Sequence, residues 1–405
     1  MKAFGTILLQ IILLEIILGG GGRFTAIGPL SLRMVLFATA IAYTCYWLWK
    51  KERVNIQYSA LVLTFIVVTI IAIMMGLSVG ADNNLIFEDV KPLLYFLILP
   101  FFTLTIRDKS LLINISKLFI YGSLFLSIAY LITVILINGG IIPFKKFYAL
   151  TSPTEEFFYR GELAFFYKGF IFLSIGLIFV YFIKPRYWVI MTSIIIFAII
   201  LTFTRGFIFA LLLTAFTYLL LSSLPLKVRL PILFALLTAA IALVYYGNNI
   251  YSNVSRIISK TELNSCFTRQ FEPDKLLGNR EFSDNERKKQ LNQVLERTTI
   301  TSAFIGHGFG VGVPVRPVHM EVSYLEIFHK QGLLGLLFWG AIFFMLTKKF
   351  LDSKSYQSPF SKAFYFSSLF IFFQSATNQY FNNPIGMSFI LLALVCLELT
   401  SKKDA

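Results

Sequence analysis

Apolar runs of about twenty residues, parted by short charged turns, recur along most of this 405-residue chain. A helix that spans a bilayer needs about 20 mostly apolar residues. Runs of that kind fall at about 4–22, 26–49, 57–80, 90–106, 111–138, 161–183, 187–203, 206–223, 229–246, 322–346, 361–378 and 383–400. The pattern predicts an all-α polytopic membrane protein with about twelve transmembrane helices. Within 187–223 one run is too long for a single span, and Thr204-Arg205-Gly206 interrupts it near its centre, where a tight hairpin is expected. The chain divides into about nine spans (1–246), an external loop with short helices (247–321) and about three further spans (322–405).

Composition agrees. Charged residues make up 14% of the chain and hydrophobic ones 57%, where soluble domains carry roughly 25% charged residues. The net charge of +15 is read as topology rather than as a nucleic-acid signal, because Lys and Arg set orientation in membrane proteins. With the N-terminus inside, the inner segments hold sixteen Lys and Arg and the short outer loops five, namely Arg23, Lys91, Lys145, Lys146 and Arg160. Both termini are therefore expected in the cytoplasm. The first run carries Gln10 and Glu15 and no small-residue cleavage site, so it is expected as a retained span. Cys45 and Cys396 lie in apolar runs and Cys266 stands alone, which gives no disulfide framework and no Cys-x-x-Cys pair.

The outer loop 247–321 is the only extended polar region, and loops of that length are more often functional than not. Ser283-Asp-Asn-Glu286 has the form of a capping box. Leu291, Val294 and Leu295 then recur at helical spacing. They predict an amphipathic helix over about 284–297, lying on the outer membrane surface with a basic polar face of Arg287, Lys288, Lys289 and Arg297.

Cations inside the apolar runs draw notice because a central Arg costs roughly 2.5–3.5 kcal/mol to insert. Arg205 is flanked by Thr202, Thr204 and Gly206, and reads either as a residue snorkelling to headgroups or as an anion ligand. Arg33, Lys168 and Lys330 fall about two turns from the outer end in the same topology. Their common depth with Arg205 suits a multiply charged anion, although Glu326 offers Lys330 a partner at i, i+4.

Residues 304–337 read FIGHGFGVGVPVRPVHMEVSYLEIFHKQGLLGLL. Alternating glycines, Gly308 and Gly310 among them, allow backbone N–H groups close to a phosphate. No Gly-Lys-Ser/Thr follows, and no βαβ unit surrounds them. Arg316, His319 and Glu321 then stand at the mouth of the span 322–346. Glu321 sits at the edge of the face shared by Tyr324, Leu325 and Phe328, where a half-buried carboxylate can serve as general base or as a helix N-terminal charge. Three histidines and no His-Glu-x-x-His argue against zinc. There is no Asp-x-Asp to hold a metal-bound nucleotide sugar, and Glu272-Pro-Asp274 comes nearest. Cations offered in its place would neutralise a diphosphate directly.

These pieces, in this order, resemble the O-antigen polymerase and O-antigen ligase superfamily. The matching stretches are Ile27-Gly-Pro-Leu-Ser-Leu-Arg33, Thr202-Phe-Thr-Arg205-Gly, Asn285-Glu-Arg287-Lys-Lys-Gln290 and Gly306-His-Gly308-Phe-Gly310. They continue with Glu321-Val-Ser-Tyr324-Leu325 to Gly335, and Thr377 to Gly386. Ligases carry His-Asn where this chain has Glu321-Val322, which favours a polymerase, while His319 keeps the ligase reading open. The resemblance implies a multi-span, GT-C-like, metal-independent glycosyltransferase without cofactor, acting at the periplasmic face of the bacterial inner membrane. The donor would be a growing glycan on undecaprenyl pyrophosphate, and the acceptor the terminal sugar of a lipid-linked repeat unit. A chain-length regulator would be its protein partner, and no nucleic acid is involved. Arg205 and Arg287 would hold the pyrophosphate, with Arg280 as a third candidate, and Glu321 would take the proton of the attacking hydroxyl. His319, Arg316, Tyr324, Gly308, Gly310, Arg33 and Lys168 are expected to contact substrate. A lipid-linked oligosaccharide flippase is the non-enzyme alternative, though the sequence shows no internal repeat of the transporter kind.

Overall fold

The computed structural model describes residues 2–23, 26–27, 30–52, 54–159, 165–222, 224–239, 241, 280–352, 356 and 358–401, with backbone alone at 2, 27, 280–284 and 401. Arg160, Cys266, Glu272, Asp274 and the side chain of Arg280 lie outside the described residues.

The fold is helical. In chain order it comprises α1 (Lys2–Leu18), α2 (Leu32–Trp49), α3 (Ile56–Ser78), α4 (Asn83–Leu93), α5 (Leu99–Thr105), α6 (Lys109–Asn138), α7 (Phe144–Thr151), α8 (Ile171–Ile183), α9 (Trp188–Leu201) and α10 (Arg205–Leu221). There follow α11 (226–239), α12 (Arg280–Arg297), α13 (Ile300–Ile305), α14 (Ser323–Leu351), α15 (Pro359–Gln374) and α16 (Pro384–Ser401). Two small antiparallel hairpins, β1 (Ala26–Ile27) with β2 (Leu30–Ser31) and β3 (Phe157–Tyr159) with β4 (Phe165–Tyr167), join them. The second hairpin takes the start of the run read as a span over 161–183, so the helix there begins only at Ile171.

Helix starts follow local chemistry. The side chains of Ser31, Asn55, Asp82 and Asp108 cap α2, α3, α4 and α6 by accepting N–H groups of the first turn. Pro359 and Pro384 open α15 and α16, where a missing N–H costs nothing. The run 90–106 is not one helix. Pro92 lies near the end of α4, a 3₁₀ turn spans Leu94–Ile98, and Pro100 stands in the first turn of α5. Two prolines eight residues apart remove the i→i−4 donors that a continuous helix would use.

Among the described residues, α2, α3, α6 and α14 are each long and apolar enough to cross a membrane, and α1, α8, α9, α10 and α16 are shorter apolar helices. On α3 and α6, Leu63, Ile70, Met74, Phe125 and Ile132 point away from the protein, as a lipid-covered face requires. Helix α16 is buried all round, with Phe389, Ile390, Leu391, Leu392 and Leu394 shielded from solvent, the pattern of a helix at the centre of a bundle. Rings interlock around it: Phe119 on Phe389 (5.0 Å), Phe179 on Phe364 (5.0 Å) and Phe350 on Tyr365 (4.1 Å). Close helix approach falls at small residues. Gly176 of α8 faces Ser123 of α6, whose hydroxyl donates to Phe119 O (2.6 Å) and lies 2.5 Å from Phe172 O.

The interruption at Thr202–Thr204 is present. However, α9 packs on α6 and α8 while α10 packs on α15, so the chain opens there into two helices with different neighbours rather than a closed hairpin. Phe203 takes a left-handed backbone at φ 50° to make the turn.

Candidate functional site

Glu321 is the residue on which side chains of α12 converge. From α12, the Arg287 Nε lies 2.9 Å from Glu321 Oε2. From the loop before α14, Arg316 donates to Glu321 Oε1 at 2.8 Å. The backbone N–H of Glu321 donates to Gln290 Oε1 at 3.1 Å. Arg287 and Gln290 are three residues apart, which sets both on one helix face. The Arg316 bond, charge-assisted and 2.8 Å long, is of the stronger kind, and the Arg287 contact adds an ion pair. Glu321 keeps 24% of its side chain exposed.

The helix α12 therefore docks through a mostly polar face. Glu286, Gln290 and Val294 are buried, and Val294 packs with Val313 and Met320, joined by Leu325 and Phe328. Gln293 Oε1 accepts from Val315 N (3.1 Å), and Arg297 donates to Gly312 O (3.1 Å). Leu291 and Leu295, read with Val294 as the apolar side of a helix lying on the membrane surface, are exposed, and Val294 alone of the three turns into the protein. The helix also starts at Arg280, so Ser283 lies inside its first turn and is not the cap. A reciprocal capping box does occur, between Thr299 and Ser302 at the start of α13.

From Gly306 to Gly310 the glycine run directs its N–H groups to the protein itself. Gly306 N donates to Ser302 O, His307 N to His329 O, Gly308 N to Lys330 O and Phe309 N to Ala72 O. Gly310 N donates to Asp89 Oδ2 at 2.8 Å. The glycines serve close packing: Gly308 has φ +91°, and a Cβ there would lie 2.0 Å from Gly76 N of α3. The helix α14 unwinds at Gly332 (φ 64°, ψ −159°) against the backbone of Phe304. Unwinding frees the carbonyls of His329 and Lys330, and the loop's N–H groups take them up. Irregular backbone at this depth is tolerated where protein satisfies it.

Behind Glu321 lies a buried charge network that spacing foretold only in part. Lys330 donates to Asp89 Oδ1 (2.6 Å), Glu326 Oε1 (2.8 Å) and Val318 O (2.6 Å). Glu326 Oε2 accepts from Asn382 Nδ2 (2.8 Å) and from the Gln379 amide. His319 Nδ1 stands 3.4 Å from Glu326 Oε1 and 3.5 Å from Asp89 Oδ1. Burial pushes the Asp89 carboxyl above its ordinary value, while the Lys330 ammonium and the Gly310 N–H pull the other way. Asp89, His319 and Glu326 bring three ligand atoms within 4.8 Å. The Lys330 ammonium, bonded to both carboxylates, already fills the place a cation would take. Sequence reasoning saw the Glu326–Lys330 spacing but missed Asp89, 241 residues from Lys330, and gave Gln379 and Asn382 no role. The amide-rich turn Asn378 to Asn383 was the available signal.

The remaining expected residues divide. Arg205 opens α10. Beside it, a Cβ at Gly206 would come 2.9 Å from Thr377 Oγ1, two residues before the Gln379 that holds Glu326. Arg33 is engaged by Glu15 through Nε (2.8 Å) and Nη2 (3.0 Å), and it also donates to Gly20 O (2.7 Å). Lys168 stands over the Phe158 ring at 5.9 Å. Of the cations read at one depth, Arg33 and Lys330 thus already carry carboxylate partners. Tyr324 turns inward, donating to Phe372 O (2.9 Å) and packing on Phe381 (4.9 Å).

Comparison with known proteins fits this arrangement. Residues 189–340, which hold Arg205, α12, the glycine run and Glu321, match a family described as O-antigen ligase. Over 403 residues the chain is 28% identical to an O-antigen polymerase of Shigella flexneri, covering 96% of this chain and 94% of that protein. By motif order, by the matched segment and by similarity along nearly its whole length, the chain resembles the O-antigen polymerase and O-antigen ligase superfamily.

Proposed function

We propose that this protein is a lipid-linked glycan polymerase of the bacterial inner membrane, working at its periplasmic face. It moves a growing glycan from undecaprenyl pyrophosphate to a terminal sugar hydroxyl of a lipid-linked repeat unit, and both termini lie in the cytoplasm. The acceptor oxygen attacks the anomeric carbon as the bond from that carbon to the phosphate oxygen breaks. Attack opposite the leaving group inverts the centre. The hydroxyl proton passes to Glu321. Negative charge develops on the departing pyrophosphate, and preorganised cations stabilise it. Arg205 and Arg287 take that part, with Arg316 assisting and Arg280 as a further candidate, so no metal is required.

The observation that carries the reading is the triad Arg287–Glu321–Arg316, which sets two guanidinium groups on one carboxylate at the start of α14. Likeness to an O-antigen polymerase over nearly the full chain supports it. A second reading, transfer of finished polymer to a lipid A core, draws support from the segment matched to O-antigen ligases and from the half-exposed His319.

Purified protein given a defined lipid-linked repeat unit, with neither metal nor nucleotide sugar, is expected to produce a glycan ladder. Arg205→Ala and Glu321→Gln should each abolish the ladder at unchanged protein level. Full-length polymer from either variant removes that residue from the mechanism. Product found only on a lipid A core acceptor favours the second reading.

A further inference from the structure

We propose that Gln379 and His319 form the subsite that reads the hydroxyl groups of the acceptor sugar. The inference rests on the polymerase reading and assigns a place for the sugar within it.

The argument starts from Glu326, a buried carboxylate that can only accept hydrogen bonds. Whatever touches it must turn a donor inward. Gln379 is bonded to Glu326 Oε2 through its amide nitrogen, so its carbonyl oxygen faces away from the carboxylate. His319 Nδ1 stands between Glu326 Oε1 and Asp89 Oδ1. Two carboxylates at one ring nitrogen place a hydrogen there. In the neutral ring the other nitrogen, Nε2, is then an acceptor. His319 keeps 47% of its side chain exposed, and Gln379 is half-buried.

Asn382 shows why the choice falls on these two. It also donates to Glu326 Oε2 (2.8 Å), but its own carbonyl oxygen lies 2.9 Å from Ser323 Oγ and is taken. Asn382 braces the carboxylate, and Lys330 neutralises it from the other side. Gln379 and His319, on the two oxygens of one carboxylate, are left presenting acceptors away from it.

A neighbouring pair of acceptors complements donors, and a sugar offers hydroxyl donors on adjacent carbons. The same pair repels the acceptor-only oxygens of a diphosphate, which the guanidinium groups around Glu321 suit instead. The two chemistries are thus divided between neighbouring groups. His319 lies two residues from Glu321, the proposed proton acceptor. The turn carrying Gln379 adjoins the start of α10, where Arg205 stands.

The test compares two lipids bound to the full chain in nanodiscs: undecaprenyl pyrophosphate with the repeat unit, and undecaprenyl pyrophosphate with no sugar. Gln379→Met and His319→Phe should each weaken binding of the sugar-bearing lipid about tenfold, the scale of one hydroxyl hydrogen bond lost with its partner left unpaired. Binding of the sugar-free lipid should stay within about twofold. His319→Gln, whose amide can again donate to Glu326 and present a carbonyl outward, should recover most of the loss. Equal weakening for both lipids, or none for either, overturns the subsite. A wild-type protein that makes no glycan ladder overturns the polymerase reading separately, since the binding comparison needs no turnover.

Discussion

Lys330→Met isolates the energy stored behind the site. The Lys330 side chain is 3% exposed and donates at 2.6–2.8 Å to two carboxylates and a carbonyl. Methionine fills a similar length without charge. It would leave Asp89 and Glu326 facing each other across the vacated position, together with an unpaired Val318 carbonyl. Breaking a buried pair by removing one partner typically costs about 3–5 kcal/mol, and the second carboxylate puts this case at the upper end. Unfolding by SDS titration in mixed micelles, followed by the fluorescence of buried Trp339, is the assay. The control is Lys330→Met with Asp89→Asn, which removes one of the stranded charges. If charge is the cause, the double variant should be more stable than the sum of the single losses by about 1 kcal/mol or more. A Lys330→Met loss below about 1 kcal/mol, or strict additivity in the cycle, would refute the reasoning, because the network would then be held by packing alone.

The glycines offer a paired comparison. Gly308→Ala places a Cβ against the Gly76 backbone at φ +91° and should cost several-fold in folded yield, whereas Gly340→Ala, with open space at its Cβ, should leave yield unchanged or raise stability by up to about 1 kcal/mol; equal behaviour of the two in size-exclusion profiles would contradict the packing account. Arg33→Met strands buried Glu15 and should destabilise by about 3–5 kcal/mol in the same SDS titration, with Glu15→Gln on top recovering part of the loss. An Arg33→Met protein of normal stability that fails only in glycan extension would instead return Arg33 to the substrate site.

What the sequence made legible was local. Apolar helices over many of the predicted runs and the Thr202–Thr204 break depend on neighbours in the chain and are present in the structure, whereas the capping box read at Ser283 is not, because that residue lies inside the helix. The Glu326–Lys330 pair, one helical turn apart, is present as well. Pro92 and Pro100 were readable in the same way, yet hydropathy averaged over 90–106 hid them. Three features needed the third dimension. Asp89 meets Lys330 across 241 residues. The glycine run looked like an anion cradle because glycine permits close approach, but the approaching group is the backbone of α3 and α14. The face of α12 was assigned by hydrophobicity, while the surface it meets carries the polar groups of residues 312–321, so Gln290 is buried and Leu295 is not.

Glu321 and Glu326 are five residues apart, and burial gives them different capacities. Both oxygens of Glu326 are engaged, by Lys330 on one and by Asn382 and Gln379 on the other. Exchanging those partners for a substrate would carry the full cost of opening a buried pair. Glu321 is held by Arg287 and Arg316, whose side chains are about a third and two-fifths exposed. Pairs with that access to water are worth far less, about 0–1 kcal/mol each. A pyrophosphate brings more negative charge than one carboxylate and suits the forked geometry of guanidinium. In the proposed reaction, arriving donor would therefore draw Arg287 and Arg316 off Glu321 at small expense, releasing a carboxylate beside the hydroxyl it is to deprotonate. The same exchange at Glu326 would dismantle the support of the glycine loop, so of the two only Glu321 is suited to change partners during turnover.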